Sequence, residues 1–415
     1  MRRVLMVAYH FPPLAGSSGI QRSLRFAQQL PKYGWQPSVL TVNSRAYEQT
    51  STDLLDELPP DMEVVRTFAI DTSRHLALMG RYPGWMARPD RWISWVASAV
   101  PAGLALIRQQ RPAAIWSTYP IPTAHLIANL LAHFSGLPWI ADFRDPMAHE
   151  GYPQDPATWR SYLNIERRVF RRARRMVFTT PGAVRLYGAR YPECASRIHL
   201  IENGYDEEAF ARAEFGDNTQ PLNPGKLTIL HSGIVYPEWR NPVAMFAALQ
   251  QLLACGQLNC DTLRLRFRAP VHEQWISRLA DAYGLQDIVE ILPPIPYIEA
   301  LREMLAADGL LALQSRECND QIPAKAYEYL RAGKPILGLV DSHSDTALLL
   351  RSAGMGPICA LESAEEISGA LLAMIQTLSA QDAPHINNGL MRSASRVART
   401  SRLAELLDDV AVEAA

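Results

Sequence analysis

The sequence predicts an α/β protein built from two doubly wound domains in tandem, each a parallel sheet covered by helices. Three observations carry this expectation. Short apolar runs alternate with longer helix-like ones through residues 1–204, a polar stretch holding Gly216, Pro221, Pro224 and Gly225 interrupts them at 205–226, and the alternation resumes over 227–390. With 415 residues, 48% of them hydrophobic, the chain is too long for one ordinary core and apolar enough for two.

In the first half, Val4–Ala8 reads as a strand, 20–32 as a helix and 37–42 as a second strand, with Gly34 as the stop between them. No element is assigned in the weak region that follows. A helix over 92–110 then leads to a strand at 113–117, a helix over 122–134 to a strand at 137–142, and a helix from about 157 to 174 to strands at 176–179 and 198–201. In the second half, strands are expected at 227–231, 263–268, 288–292, 309–313 and 335–340. Helices are expected at 243–253, 273–283, 297–307, 323–332, 345–351 and 364–378. After a polar break at 381–388, residues 391–415 read as a carboxy-terminal helical segment that could pack back on the first domain.

Composition excludes several classes. Forty-one basic residues against forty-two acidic ones give a formal charge of -1, which removes the general electrostatic case for a nucleic-acid partner. Five scattered cysteines without a CxxC pair argue against a disulfide framework or a zinc site and for a reducing, cytoplasmic setting. Arg2 and Arg3 are followed by a strand-like run and a double proline, not by the apolar core of a signal peptide. The uncharged stretch 92–107 holds two serines and Pro101 and falls short of the roughly 20 apolar residues a bilayer span needs. A buried or groove-facing helix fits it better, and Trp85, Trp92 and Trp95 leave peripheral membrane contact open. The basic run Arg167, Arg168, Arg171, Arg172, Arg174 and Arg175 reads as a solvated or lipid-headgroup face of one helix. His125 and His133 read as core or surface residues.

In open α/β sheets ligands gather outside the carboxyl ends of the strands, and two such sheets set face to face make a cleft lined by loops from both. The candidate residues follow strands accordingly. The first loop, His10 to Gly19, carries Gly16 and Gly19 and runs into a helix with Arg22; its small residues admit a ligand to the backbone near free helix amides, or simply make a tight turn. Asp142-Phe143-Arg144-Asp145-Pro146 sets two carboxylates and an arginine at a strand end, as a site or as an ion pair that pins the loop. In the second half, Asp320-Gln321-Ile322-Pro323 leads into a helix on which Lys325 and Glu328 share a face. There Lys325 could meet phosphate oxygens and Glu328 the hydroxyls of a ribose, unless the two form a plain exposed ion pair. The loop from His231 holds Gly233, which permits close backbone approach, and Arg240, placed to neutralise a diphosphate. His231 itself suits a buried, hydrogen-bonded imidazole as well as a ligand contact. No Asp-x-Asp, HExxH, GxSxG or Walker loop is present, so neither a metal nor a bound cofactor is expected.

Taken together, Tyr9-His10-Phe11-Pro12-Pro13 with its glycine loop, Ser117-Thr118-Tyr119-Pro120, Pro138 to Pro146 and Asn203-Gly204-Tyr205-Asp206 resemble the retaining GT-B glycosyltransferases of family 4, in particular their bacterial surface-polysaccharide branch. The resemblance covers nearly the whole chain. It implies two Rossmann-like domains facing across a cleft, a nucleotide-sugar donor linked to UDP or GDP, and a glycan, lipid-linked or small-molecule acceptor. It implies transfer with retention and without a metal, at the inner face of the cell membrane or in the cytoplasm. By the same resemblance the family's two glutamates match Asp320 and Glu328, the first shortened by one methylene. Its diphosphate-binding Arg and Lys match Ile234 and Arg240, and its histidine after the fourth strand matches Arg144. The implied roles are catalytic for Arg144, Asp145 and Asp320. They are donor-binding for Gly16, Gly19, Gly233, Arg240, Ile322, Pro323, Lys325 and Glu328, and acceptor-side for His10, Arg22 and Asp142. A nucleotide-sugar 2-epimerase of the same architecture and a non-catalytic binding protein are the competing readings.

Overall fold

The computed structural model describes residues 1–16, 19–215, 220–380 and 387–413. Ser17 and Ser18 of the first glycine loop, Gly216 of the expected linker and 381–386 of the polar break lie outside the described residues. The chain divides into two compact units, one of residues 1–203 with 396–415 and one of 204–395.

Unit 1 is a seven-stranded sheet of β1 (Arg2–Val7), β2 (Trp35–Val42), β3 (Glu63–Thr67), β4 (Ala114–Thr118), β5 (Trp139–Arg144), β6 (Arg175–Phe178) and β7 (Ile198–Leu200). Their order is β3-β2-β1-β4-β5-β6-β7, and every pairing is parallel. Residues Val4 to Val7 of β1 are all buried, as expected of a central strand covered on both faces. One face packs on helices Trp95–Gln110, Pro122–Ser135 and Pro156–Arg172. The other is covered by helix Gly19–Gln29 and by the carboxy-terminal helix Arg396–Glu413, whose Leu403, Leu407 and Val410 join Val4, Met6 and Trp116 in one cluster. Thr400 donates to Gln29 Oε1 at 2.9 Å and Trp35 to Asp408 at 2.8 Å, which fixes that helix on this unit.

The strand β3 and the helix Pro181–Arg190 are elements the sequence reading leaves out. β3 is a five-residue edge strand, Glu-Val-Val-Arg-Thr, whose residues are at most half-buried, so no apolar run marks it. The helix is announced by Thr180, whose hydroxyl accepts from Ala183 N, and by Pro181 in its first turn, but its weak amphipathic pattern hides it. Among the described residues no helix is long and apolar enough to cross a membrane. Of the three tryptophans considered for membrane contact, Trp95 is fully buried and donates to Thr67, and Trp92 packs on the Tyr9 ring at 4.5 Å. Only Trp85 stands out to solvent.

Unit 2 is a six-stranded parallel sheet of β8 (Leu227–Ser232), β9 (Leu263–Arg268), β10 (Val289–Leu292), β11 (Gly309–Leu313), β12 (Ile336–Leu339) and β13 (Ile358–Cys359), in the order β10-β9-β8-β11-β12-β13. Residues 205–226, expected as a linker, include a helix, Glu207–Glu214, capped by Asp206. Its Phe210 is fully buried in this unit, and Arg331 bridges its Glu207 and Glu214 at 2.6 and 2.8 Å.

In each sheet the strand order reverses beside the first strand, between β1 and β4 in unit 1 and between β8 and β11 in unit 2. Loops leaving neighbouring strands there turn to opposite faces and leave a crevice at the carboxyl edge. The candidate residues follow β1 and β5 in the first sheet and β8 and β11 in the second.

Candidate functional site

In unit 2 the turn after β8 passes through Gly233 at φ +110°, a conformation that side chains other than hydrogen resist. A Cβ at Gly233 would lie 2.7 Å from Lys325 Nζ, so the glycine makes room for that lysine. Lys325 stands in the first turn of the helix Ala324–Ala332, which Pro323 precedes with φ -58° and ψ 134°. Its ammonium donates to His231 Nε2 at 3.3 Å, while His231 Nδ1 donates to the Leu311 carbonyl at 2.9 Å. The imidazole is thereby held neutral, with its acceptor nitrogen turned to Lys325.

Arg240 completes the cluster. Its guanidinium donates to the Ile234 carbonyl at 2.6 Å and lies over the Tyr236 ring, 5.2 Å from its centre. Ile234, where the resembling family carries a cation, contributes its main chain to placing the one that remains. Burial, followed by the Arg240 charge, holds Lys325 well below the usual lysine range, and Glu328 pulls the other way. Burial, Lys325 and Arg240 together hold His231 well below the usual histidine range. The positive end of the helix dipole adds to the same field. This is a place where positive charge is concentrated at a cost that an anion would offset.

Glu328, one turn further along, accepts from Tyr297 Oη at 2.8 Å. Asp320 is exposed, in the loop that Gln314 and Thr346 organise: Gln314 Nε2 donates to the Gln321 carbonyl at 2.9 Å and Thr346 to Gln314 Oε1 at 2.6 Å. The Ile322 side chain is 7% exposed and packs in the unit 2 core, which leaves only its main chain to face a ligand.

In unit 1 the helix Gly19–Gln29 and the end of β5 are locked together. Arg22 Nε and Nη2 donate to the two Asp142 oxygens at 2.8 and 2.9 Å, and the same guanidinium donates to the Glu202 and Ile201 carbonyls at 3.0 and 2.9 Å. Both side chains are buried, and Thr118 donates to Asp142 at 3.2 Å. Their hydrogen-bonding capacity goes to the fold, as the ion-pair alternative expects.

Arg144 is different. It sits at φ +61° beside an irregularity in the β5–β6 register, and its Nε is buried without a hydrogen-bond partner among the described residues. Among the described residues, its Nη1 has a 3.4 Å contact to the Tyr119 carbonyl. Strain and an unsatisfied buried donor are both costs to stability at this position. A Cβ on Gly19 would come within 2.3 Å of Arg144 Nη1 and 2.6 Å of His10 Nδ1, so these three residues share one tight space at the ends of β1 and β5. Burial and the Arg144 charge push His10 down to about 3, which keeps it neutral. Burial raises the Asp145 carboxyl against the pull of Arg144 and Arg22. Gly16, at φ +77°, is exposed at the rim, where the neighbouring Ala15 amide donates to the Gln49 carbonyl at 3.1 Å.

The sequence-predicted residues therefore gather into two groups: Gly233, Arg240, Pro323, Lys325 and Glu328 in unit 2, and His10, Gly19, Arg22, Asp142, Arg144 and Asp145 in unit 1. Sequence reasoning missed Tyr297, Gln314 and Thr346. No local motif links Tyr297 to Glu328, 31 residues away; only the packing of their two helices does. Among the described residues no group of three or more His, Cys, Asp or Glu side chains is gathered to hold a metal ion.

Residues 18–204 match a family described as "Glycosyl transferase 4-like domain". Solved structures with the same fold include sucrose-phosphate synthase from Thermosynechococcus elongatus (15% identity, TM-score 0.63, covering 100% of this chain and 97% of that one). They also include the Anabaena protein HepE in complex with UDP and glucose (14% identity, TM-score 0.67, 99% and 100% covered). A third is a putative UDP-N-acetylglucosamine 2-epimerase from Listeria monocytogenes (13% identity, TM-score 0.59, 97% and 94% covered). Among curated proteins no sequence matches this chain. Residues 18–204 thus resemble a glycosyl transferase 4-like domain, and the two parallel sheets with their helices share the GT-B fold of these solved structures.

Proposed function

We propose that this chain, whose residues 18–204 resemble a glycosyl transferase 4-like domain, transfers a sugar from a UDP- or GDP-linked donor to a glycan or lipid-linked acceptor with retention of the anomeric configuration. The observation that carries the reading is the concentration of Lys325, Arg240 and neutral His231 around Gly233 at a helix N-terminus. A diphosphate placed there would meet Lys325, Arg240 and the positive end of the helix, and would favour the charged form of Lys325. Glu328, steadied by Tyr297, has acceptor oxygens one helical turn away for the two ribose hydroxyls.

The reaction breaks the bond between the anomeric carbon and the diphosphate oxygen and forms a bond from that carbon to the acceptor oxygen on the same face. The acceptor proton passes to the departing phosphate. Negative charge grows on the diphosphate as the bond breaks, and Lys325, Arg240 and the helix amides stabilise it where they already stand. Asp320 lies on the donor-sugar side of this scheme, and Arg144, Asp145 and His10 on the acceptor side, with Arg22 and Asp142 positioning them. The charge on the leaving group is met by side chains and main chain, so the reading assigns no step to a metal. A nucleotide-sugar donor places the reaction in the cytoplasm, and a lipid-linked acceptor would draw it to the inner face of the membrane.

Support from outside the chain comes from the shared fold, whose members include a protein solved with UDP and glucose. The likeness to a putative 2-epimerase makes that activity the second reading. Incubation of the full chain with labelled UDP- and GDP-sugars and lipid-linked acceptor fractions separates the two. A labelled acceptor that keeps the donor's anomeric configuration is the expected product. Epimerised sugar nucleotide formed without an acceptor, or no consumption of any donor, would contradict the transferase reading.

A further inference from the structure

At the end of the unit 1 sheet away from His10 and Arg144, where β5 and β6 begin, lies a concave pocket of about 770 Å³. Arg168, Arg171, Arg172, Arg174, Arg175 and Arg197 line it, and among the described residues Glu413 is its one acidic side chain. Arg168, Arg171 and Arg172 are spaced to share the last turns of helix Pro156–Arg172. Cations at a helix C-terminus are favourable, and Arg197 fills that role directly by donating to the Ala173 and Phe170 carbonyls at 2.7 Å each. Arg171 and Arg172 stand in the same last turn and are favoured by the dipole too, but it supplies no acceptor for their side-chain N–H groups. Arg168, Arg171, Arg172 and Arg174 make no side-chain ion pair or hydrogen bond among the described residues, although like charges at this spacing oppose the helix that carries them.

A second observation shows what the pocket can hold. Arg175 grips both oxygens of the Glu413 carboxylate, so an anion of that geometry already sits at one wall. Arg175 and Arg174 draw the Glu413 carboxyl below its usual range. The pocket volume falls within the roughly 300–1,000 Å³ of small-molecule sites. Guanidinium forks match phosphate and carboxylate oxygens in pairs, and four arginines remain for a ligand once Arg175 and Arg197 are engaged.

We propose that this pocket is an anion-binding site, separate from the proposed transfer site, for a ligand bearing more than one phosphate charge. Its chemistry is that of a soluble polyphosphate or of anionic phospholipid headgroups, and one experiment distinguishes the sources. The full chain is titrated with inorganic tripolyphosphate by calorimetry and sedimented with phosphatidylcholine vesicles made with and without phosphatidylglycerol. The same is done for R171E/R172E, for the milder R171Q/R172Q, and for R45E as a distant exposed control. Tripolyphosphate binding that R171E/R172E weakens by about ten-fold or more and R45E leaves unchanged identifies a soluble anion site. Sedimentation that needs phosphatidylglycerol and is lost in the same variant, without tripolyphosphate binding, identifies the headgroup. A folded variant, judged by an unchanged melting temperature, that binds both probes like the parent would overturn the proposal, as would a parent that binds neither. If R171E/R172E does not fold, the glutamine pair decides between the same outcomes.

Discussion

At Gly233 two demands meet, a backbone at φ +110° and a lysine ammonium in the space a methyl group would take. Gly233→Ala is therefore expected to cost about 1–3 kcal/mol of stability through backbone strain. Because Lys325 must move, it should also weaken nucleoside-diphosphate binding by at least about ten-fold. Denaturant unfolding and calorimetric titration measure the two effects; full affinity in the variant would separate Lys325 from the ligand. Lys325 carries a second expectation. In the free protein, burial and Arg240 hold its pKa well below the ordinary lysine value, against Glu328, and neutral His231 accepts from it. A bound diphosphate favours the ammonium and so raises that pKa, which means that binding takes up protons. Affinity should then fall as pH rises between the free and bound values. Titrations in buffers of different ionisation heat read the uptake, and proton release on binding would reverse the sign and refute it.

Between elements, the Arg22–Asp142 pair joins helix Gly19–Gln29 to the end of β5 and to the chain at 201–202. Asp142→Ala leaves a buried guanidinium short of its carboxylate and is expected to cost about 3–5 kcal/mol of unfolding free energy. A loss below about 1 kcal/mol in chemical denaturation would show that the pair does not hold the loop. Such a pair was half legible in the sequence: the DFRD segment stood out as charge at a strand end, but its partner was 120 residues away. Elements with a plain apolar period, such as β9 or helix Val243–Ala254, fall close to their expected bounds. β3 does not, because an edge strand covered on one side needs no continuous apolar run. The segment 205–226 misled for a related reason: its surface turns are polar, yet Phe210 and Ala213 give helix Glu207–Glu214 enough apolar face to dock on unit 2.

Over the whole molecule, two doubly wound sheets each place their candidate residues at the switch in strand order, and the sequence located most of those loops because loops that follow strands are marked by glycine, proline and charge. It could not distinguish residues whose hydrogen bonds the fold uses from residues it leaves strained and unsatisfied. Arg22 and Arg144 are both arginines near the same strand end, and only their hydrogen bonds separate them, saturated in one and strained and unsatisfied in the other. The carboxy-terminal helix, remote in sequence, completes unit 1 by covering Val4, Met6 and Trp116. Under the proposed function, unit 2 presents a nucleoside-diphosphate site built on Lys325, Arg240 and Glu328. Calorimetric titration of the full chain with UDP and GDP, repeated on Arg240→Ala and Glu328→Ala, tests it most directly. One of the two nucleotides should bind with one-to-one stoichiometry, and each substitution should weaken it by about ten-fold or more. Absence of binding by both nucleotides, or an affinity that neither substitution changes, would contradict the account.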